Sequence, residues 1–252
     1  MFIRFQEKDK EIKYGFVTNK IIQVIQGDIF GSYSITDVEI KLDQVTLLVP
    51  CLPTKIVGVG LNYADHAKEV GLVLPKTPAL FLKPPSSVIG PNEHVFLPPE
   101  SSMVEYEGEL AVVIGKKAKN IKEESVEEYI LGYTCANDVT ARDIQFSDSQ
   151  WMRGKSFDTF CPIGPGIVKN LDVMNSGIEF YLNGEQKQCS NTNQLIFPIF
   201  YLISYISHQM TLYPGDIILT GTPKGTEPLN NGDIMEVKIK GIGVLKNRVK
   251  NS

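Results

Sequence analysis

The side chains able to do chemistry in this 252-residue chain concentrate in a few short stretches. In Val104-Glu105-Tyr106-Glu107-Gly108-Glu109-Leu110, an acid recurs at every second position and the segment runs on into the apolar stretch Leu110–Ile114. Side chains two apart on a strand share a face, so Glu105, Glu107 and Glu109 would point the same way. Carboxylates side by side repel, and burying them without a partner is strongly unfavourable. A divalent cation relieves that conflict, and hard oxygen ligands suit Mg2+, Mn2+ or Ca2+. A solvated strand face has the same spacing; the apolar run that follows, and the space Gly108 leaves beside the carboxylates, favour a site.

A second acidic island runs from Asn137-Asp138 to Arg142-Asp143 and Gln145. If Asp138 caps a helix, Arg142 and Gln145 follow at i+4 and i+7, and the three lie along one stripe. A carboxylate, a guanidinium and an amide so arranged would hold a metal and an oxygen-rich anion; an N-cap with an ordinary ion pair has the same signature. Among three histidines, His66 has a carboxylate within helical reach, that of Glu69. A histidine oriented in this way can act as general base toward water or a carbon acid, although a surface helix pair would look identical. His94 and His208 lack such a context and are read as structural. Lys155 lies among apolar and aromatic residues between Trp151 and Phe160. Partial burial there would depress its pKa or aim it at an anion, unless it snorkels to solvent.

Several other chemistries fall away. Gly58-Val59-Gly60-Leu61-Asn62-Tyr63 half-imitates a dinucleotide fingerprint, but Tyr63 fills the third glycine position and no acid follows at the required distance. Gly221-Thr222-Pro223-Lys224-Gly225 lacks the spacer and the Gly-Lys pair of a phosphate loop, and no GxSxG elbow occurs.

The elements that must position these residues are mostly strands. Residues 1–50 alternate apolar and polar in short runs broken by Gly, Asn and Asp, as a small set of strands does. Pro50 and Pro53 bracket a linker, dividing the chain into a small β region over 1–52 and a larger unit over 53–252. In that unit KIVGVG and ELAVVIG read as buried strands, and DIILTG, DIMEVKIKG and IGVLKNRVK as strands set off by Gly and Asp turns. YADHAKEVG reads as a helix with Gly71 at its C-cap. FPIFYLISYISHQM reads as an apolar helix after Pro198. SVEEYILGY opens with Ser125 and Glu128 at capping-box spacing. Helices inserted among dominant strands favour a β-rich α+β fold over a doubly wound sheet.

Composition narrows the class. With 25 basic against 29 acidic residues the formal charge is −4, which argues against nucleic acid as a partner. No apolar run reaches the roughly 18 residues of a spanning helix, and the N-terminus lacks a signal-like apolar region, so neither a membrane nor export is indicated. The four cysteines form no CxxC pair, and reduced thiols in a cytoplasmic protein are expected.

Taken together and in order, the motifs GLNYADHAKE, LFLKPPSSVIGP, VEYEGELAVVIGK, NDVTARDIQ, GKSFDTFCPIGP and GDIILTGTPKG resemble the fumarylacetoacetate hydrolase superfamily from Lys55 to Val249. NGEQKQCSNTNQLIF and IGVLKNRV are most similar to its oxaloacetate tautomerase and 2-hydroxyhepta-2,4-diene-1,7-dioate isomerase-like branch. The resemblance implies a mixed β-sandwich roll, usually homodimeric, with Mg2+ or Mn2+ held by Glu107, Glu109 and Asp138. It implies that Arg142, Gln145, Lys155 and Thr222 face the carboxylate and oxo groups of a small 2-oxo acid, with Lys155 and the His66–Glu69 pair as the catalytic groups. The cation would stabilise an enolate as C3 gains or loses a proton. A keto–enol tautomerase or isomerase of an oxaloacetate-like substrate is the first expectation. An acylpyruvate-type C–C hydrolase or oxaloacetate decarboxylase is the second, and a non-catalytic 2-oxo acid or metal binder the third.

Overall fold

The structure, a computed structural model, describes residues 1–8, 10–69, 71 and 73–252. Its larger sheet has twelve strands. Tyr33–Lys41, Ile21–Gly27, Ile12–Thr18 and Phe2–Glu7 form an antiparallel N-terminal ribbon, and Phe2–Glu7 then pairs with Cys161–Val168. The sheet continues through Ile130–Asn137, Gly108–Ile114, Ile217–Leu219, Ile56–Gly60 and Ala79–Lys83. A second sheet of five strands, Glu185–Asn191, Gly177–Leu182, Ile234–Ile239, Gly243–Asn251 and His94–Leu97, packs against it. The β-rich α+β class expected from the sequence is therefore the one observed.

The core lies between the sheets. Leu110 and Val112 from one and Ile178, Phe180, Val237 and Leu245 from the other belong to one buried cluster. Every residue of Gly108–Ile114 is buried, which is why that segment reads as an unbroken apolar run once the acids end. The helix Ile199–Gln209, entered through Pro198, adds Leu202, Ile203 and Ile206 to the same cluster. Pro suits this entry because its missing N–H is one that the helix start leaves unpaired in any case.

Two local expectations are corrected. Ser125 does not cap a helix: a 3-10 helix spans Glu123–Tyr129, the Ser125 hydroxyl donates to Lys122 O at 3.0 Å, and Ile130–Asn137 is a strand. Asp138 does not cap one either. It follows that strand and precedes the short strand Thr140–Ala141, and the helix Arg142–Ser147 has Ala141 at its N-cap with no side-chain cap bond. Arg142 and Gln145 are thus i,i+3 neighbours on a six-residue helix. The helix carrying His66 spans Ala64–Glu69. Gly71 adopts φ +67° beyond it, while Val70, inside the expected helix, lies outside the described residues.

The cysteines are free; Cys51, Cys135 and Cys161 are buried and Cys189 is exposed. Burial pushes each of the three buried thiols up to about 12, which keeps them protonated and unreactive. Among the described residues, no helix is long and apolar enough to cross a membrane.

Candidate metal and substrate site

Antiparallel pairing builds the site. Gly108 lies opposite Asn137 and Glu109 opposite Ala136, so the residues just outside this register, Glu107 and Asp138, meet at the end of the ladder. Asp138 N donates to Glu107 O at 2.8 Å, and Asn137 Oδ1 accepts from Glu107 N at 2.9 Å. The carboxylates of Glu107, Glu109 and Asp138 consequently converge, with one oxygen of each within 4.8 Å of the others. All three are buried.

Their partners differ. Lys155 Nζ lies 2.8 Å from Glu107 Oε2 and 2.6 Å from Asp138 Oδ2, and Lys83 Nζ lies 2.5 Å from Asp138 Oδ1. Glu109 has no cationic side chain within 4.0 Å among the described residues; its Oε2 accepts from Gly221 N at 2.7 Å. Burial, then the charges of Asp138 and Glu107, hold the Glu109 carboxyl well above the usual carboxylate range. Burial also acts on Glu107, but Lys155 and Arg142 overcome it and draw its pKa down to about 2. A buried acid cluster with one member unpaired and oxygen donors only is what a hard divalent cation fits.

Glu105, the third acid of the alternating run, faces the same cavity but is not part of the triad. Its Oε2 accepts from Arg142 Nε at 2.8 Å. Arg142 also donates from NH1 to Gln145 Oε1 at 2.7 Å, while its NH2 ion-pairs with Glu107 Oε1 at 2.8 Å without an aligned acceptor. Burial does not depress the Lys155 pKa. It opposes the charge, but Asp138 and Glu107 are close enough to raise the pKa instead.

A cavity of about 530 Å3 opens over the carboxylates. It brings His66, Glu69, Glu105, Glu107, Glu109, Arg142, Gln145, Lys155 and Thr222 to one lining, with Asp138 beneath. His66 Nδ1 is 3.0 Å from Glu69 Oε2, and the Glu69 carboxylate accepts from Gly225 N at 3.1 and 3.2 Å. Thr222 turns its hydroxyl inward, donating to Gly108 O at 3.0 Å. His94 and His208 lie outside this lining.

The apolar wall explains the false dinucleotide fingerprint. A Cβ on Gly58 would sit 2.1 Å from Phe81, and one on Gly60 2.0 Å from Trp151. Those glycines admit two aromatic rings, packed edge to face with centroids 6.0 Å apart, that line the cavity.

Sequence reasoning passes over Lys83, although a lysine ending the apolar strand Ala79–Lys83 is a usable signal. Its ammonium is buried and also donates to Val139 O at 3.1 Å. Lys83→Met is expected to lower the unfolding free energy by about 3–5 kcal/mol, the usual consequence of breaking a buried pair from one side. Urea denaturation measures it; a loss under about 1 kcal/mol would mean that Lys155 alone balances Asp138.

Comparison with known proteins follows the same lines. The family described as fumarylacetoacetate (FAA) hydrolase C-terminal matches residues 55–250, and a description named Rv2993c-like, N-terminal, matches residues 1–50. The mitochondrial oxaloacetate tautomerase of Rattus norvegicus is 48% identical over 222 residues, covering 83% of this chain and 71% of that protein. The crystal structure of 5-carboxymethyl-2-hydroxymuconate delta-isomerase from Mycobacterium smegmatis is 40% identical with a TM-score of 0.93, covering 100% of this chain and 99% of that one. A fumarylacetoacetate hydrolase from Exiguobacterium antarcticum is 35% identical with a TM-score of 0.90, covering 100% of this chain and 99% of that one.

Proposed function

The chain belongs to the fumarylacetoacetate hydrolase family, and from that membership we propose that it is a Mg2+- or Mn2+-dependent enzyme interconverting the keto and enol forms of a small 2-oxo dicarboxylate, an oxaloacetate-like tautomerase or isomerase. One observation carries the reading: an acid triad, one member of which has no cationic partner among the described residues, lies beneath a cavity lined by the Arg142 guanidinium and by His66 oriented by Glu69. Glu107, Glu109 and Asp138 would hold the cation. Bound there, it supplies Lewis-acid stabilisation of the negative charge that develops on a 2-oxo acid as C3 loses a proton.

The remaining steps belong to side chains. The Arg142 guanidinium, held in the cavity lining by Glu105 and Glu107, takes the substrate carboxylate. Lys155 stays protonated and spends two of its three N–H donors on Glu107 and Asp138, leaving one for a substrate oxygen. His66, with Nδ1 held by Glu69, presents Nε2 as the atom that takes or returns the C3 proton. Phe81 and Trp151 keep water from that side of the cavity. The named tautomerase and isomerase relatives support this reaction class.

A hydrolase or decarboxylase is the second reading, and the same His66–Glu69 pair favours hydrolysis because an oriented imidazole also activates water. Freshly dissolved enol-oxaloacetate, followed with Mg2+ and then with EDTA, separates the cases. Metal-dependent loss of enol absorbance without pyruvate is the expected result. Pyruvate appearing in step with that loss would make the enzyme a decarboxylase. No effect on either signal would remove oxaloacetate and send the search to acylpyruvates.

A further inference from the structure

Gln188 lies on the second sheet, in Glu185–Asn191, and is 1% exposed. Its amide spans two parts of the site. Oε1 accepts from Gly108 N at 2.9 Å, between Glu107 and Glu109 in the chain. Nε2 donates to Thr222 Oγ1 at 2.9 Å and to Pro223 O at 2.7 Å, with Lys224 O at 3.4 Å. The next residue, Gly225, holds Glu69 through its N–H and accepts from the Tyr106 hydroxyl at 2.9 Å. Both glycines are needed for the fit. A Cβ on Gly108 would sit 3.0 Å from Gln188 Oε1, and one on Gly225, at φ +96°, would sit 2.3 Å from Lys187 O.

We propose that Gln188 is a positioning residue that fixes the loop 222–225 against the carboxylate strand and so sets where Glu69 docks. The two ends of the amide are not interchangeable, since the oxygen faces an N–H and the nitrogen faces carbonyl oxygens. A glutamate of the same length keeps the first contact and turns the second into repulsion between oxygens. A methionine keeps the length and makes neither bond. Because the group is buried, water does not replace the missing bonds. The catalytic consequence rests on the reading of His66–Glu69 as the working pair; the positioning itself does not.

The test uses the full chain with Mg2+ and compares hydrogen exchange in wild type, Gln188→Met and Gln188→Glu. Exchange over 222–226 and 64–69 is expected to quicken about tenfold in both variants, the scale of one buried hydrogen bond, with Leu110–Ile114 and Mg2+ affinity unchanged; the Gly108 amide quickens only in Gln188→Met, which removes its acceptor. The kinetic arm is a double-mutant cycle: Gln188→Met lowers kcat about tenfold in wild type and has little further effect in Glu69→Ala. Unchanged exchange at 64–69, or acceleration across the whole sheet, would overturn the assignment, as would equal losses of kcat in both backgrounds. If exchange behaves as expected and Glu69→Ala leaves turnover intact, the catalytic reading of the pair fails while positioning by Gln188 stands.

Discussion

Glu109→Ala is expected to abolish divalent-cation binding and with it turnover, leaving the fold largely intact. Glu107 and Asp138 each keep buried cationic partners when Glu109 is removed, whereas the hydrogen bond that disappears with the Glu109 side chain is the one donated by Gly221 N. Leaving that N–H unpaired costs about 1–3 kcal/mol, within what a single domain tolerates. The loss in catalysis is larger. Lewis-acid stabilisation is worth several kcal/mol and each 1.4 kcal/mol is about tenfold in rate, so kcat/KM falls by about 10^3 or more. Titration calorimetry with MgCl2 and an enol-oxaloacetate assay check both halves; unaltered metal-dependent turnover would mean that the site is misplaced.

The same residue sets the pH dependence. Burial and the neighbouring Asp138 and Glu107 raise the Glu109 pKa, so its carboxyl keeps a proton at pH values where an ordinary carboxylate has lost it. A cation must displace that proton. Affinity is therefore expected to rise with pH below the raised pKa and to level off above it. Calorimetry in buffers of different ionisation enthalpy counts the proton released.

His66→Ala is the second large expected effect. Among the groups lining the cavity, Lys155 is kept protonated by Asp138 and Glu107, and Glu107 is too weak a base once drawn down to about 2. The His66 imidazole lines the same cavity with Nδ1 held by Glu69, which leaves Nε2 to exchange the C3 proton. Its loss is expected to lower kcat by about 10^2–10^4, the usual contribution of general acid–base catalysis, with Mg2+ affinity unchanged. Turnover within twofold of wild type would remove the pair from the mechanism.

Legibility in the sequence follows locality. The alternation of Glu105, Glu107 and Glu109 and the helix after Pro198 are written in neighbouring residues. The helix forms and the three acids line one cavity, although Tyr106 and Glu107 fall between the strands Val104–Glu105 and Gly108–Ile114 and not on one continuous strand. Asp138 mimics a helix cap in sequence because the strand Thr140–Ala141 that intervenes is only two residues long and leaves no periodic trace. The contact of Lys83 with Asp138 closes over 55 residues and that of Gln188 with Gly108 over 80. Such pairings depend on how strands are ordered across two sheets, which no local pattern encodes. The direction of the Lys155 pKa is hidden for the same reason: burial is inferable from its neighbours, but the two carboxylates that outweigh it come from distant segments.

The N-terminal ribbon has a bearing beyond the site. Phe2–Glu7 meets Cys161–Val168 where Phe2 lies opposite Ile167, and Phe2, Ile25 and Ile29 share a buried cluster with Ala111, Val113 and Ile163. Without that ribbon, one flank of the sheet that carries the carboxylates would present apolar side chains and the strand backbone around Ile167 to other molecules, a start for edge-to-edge aggregation. The first fifty residues therefore work as a hem on the sheet. What such a hem must preserve is a matching strand and a few apolar contacts, so its outward face, as in the largely exposed Tyr33–Lys41 strand, is free to carry almost any polar sequence.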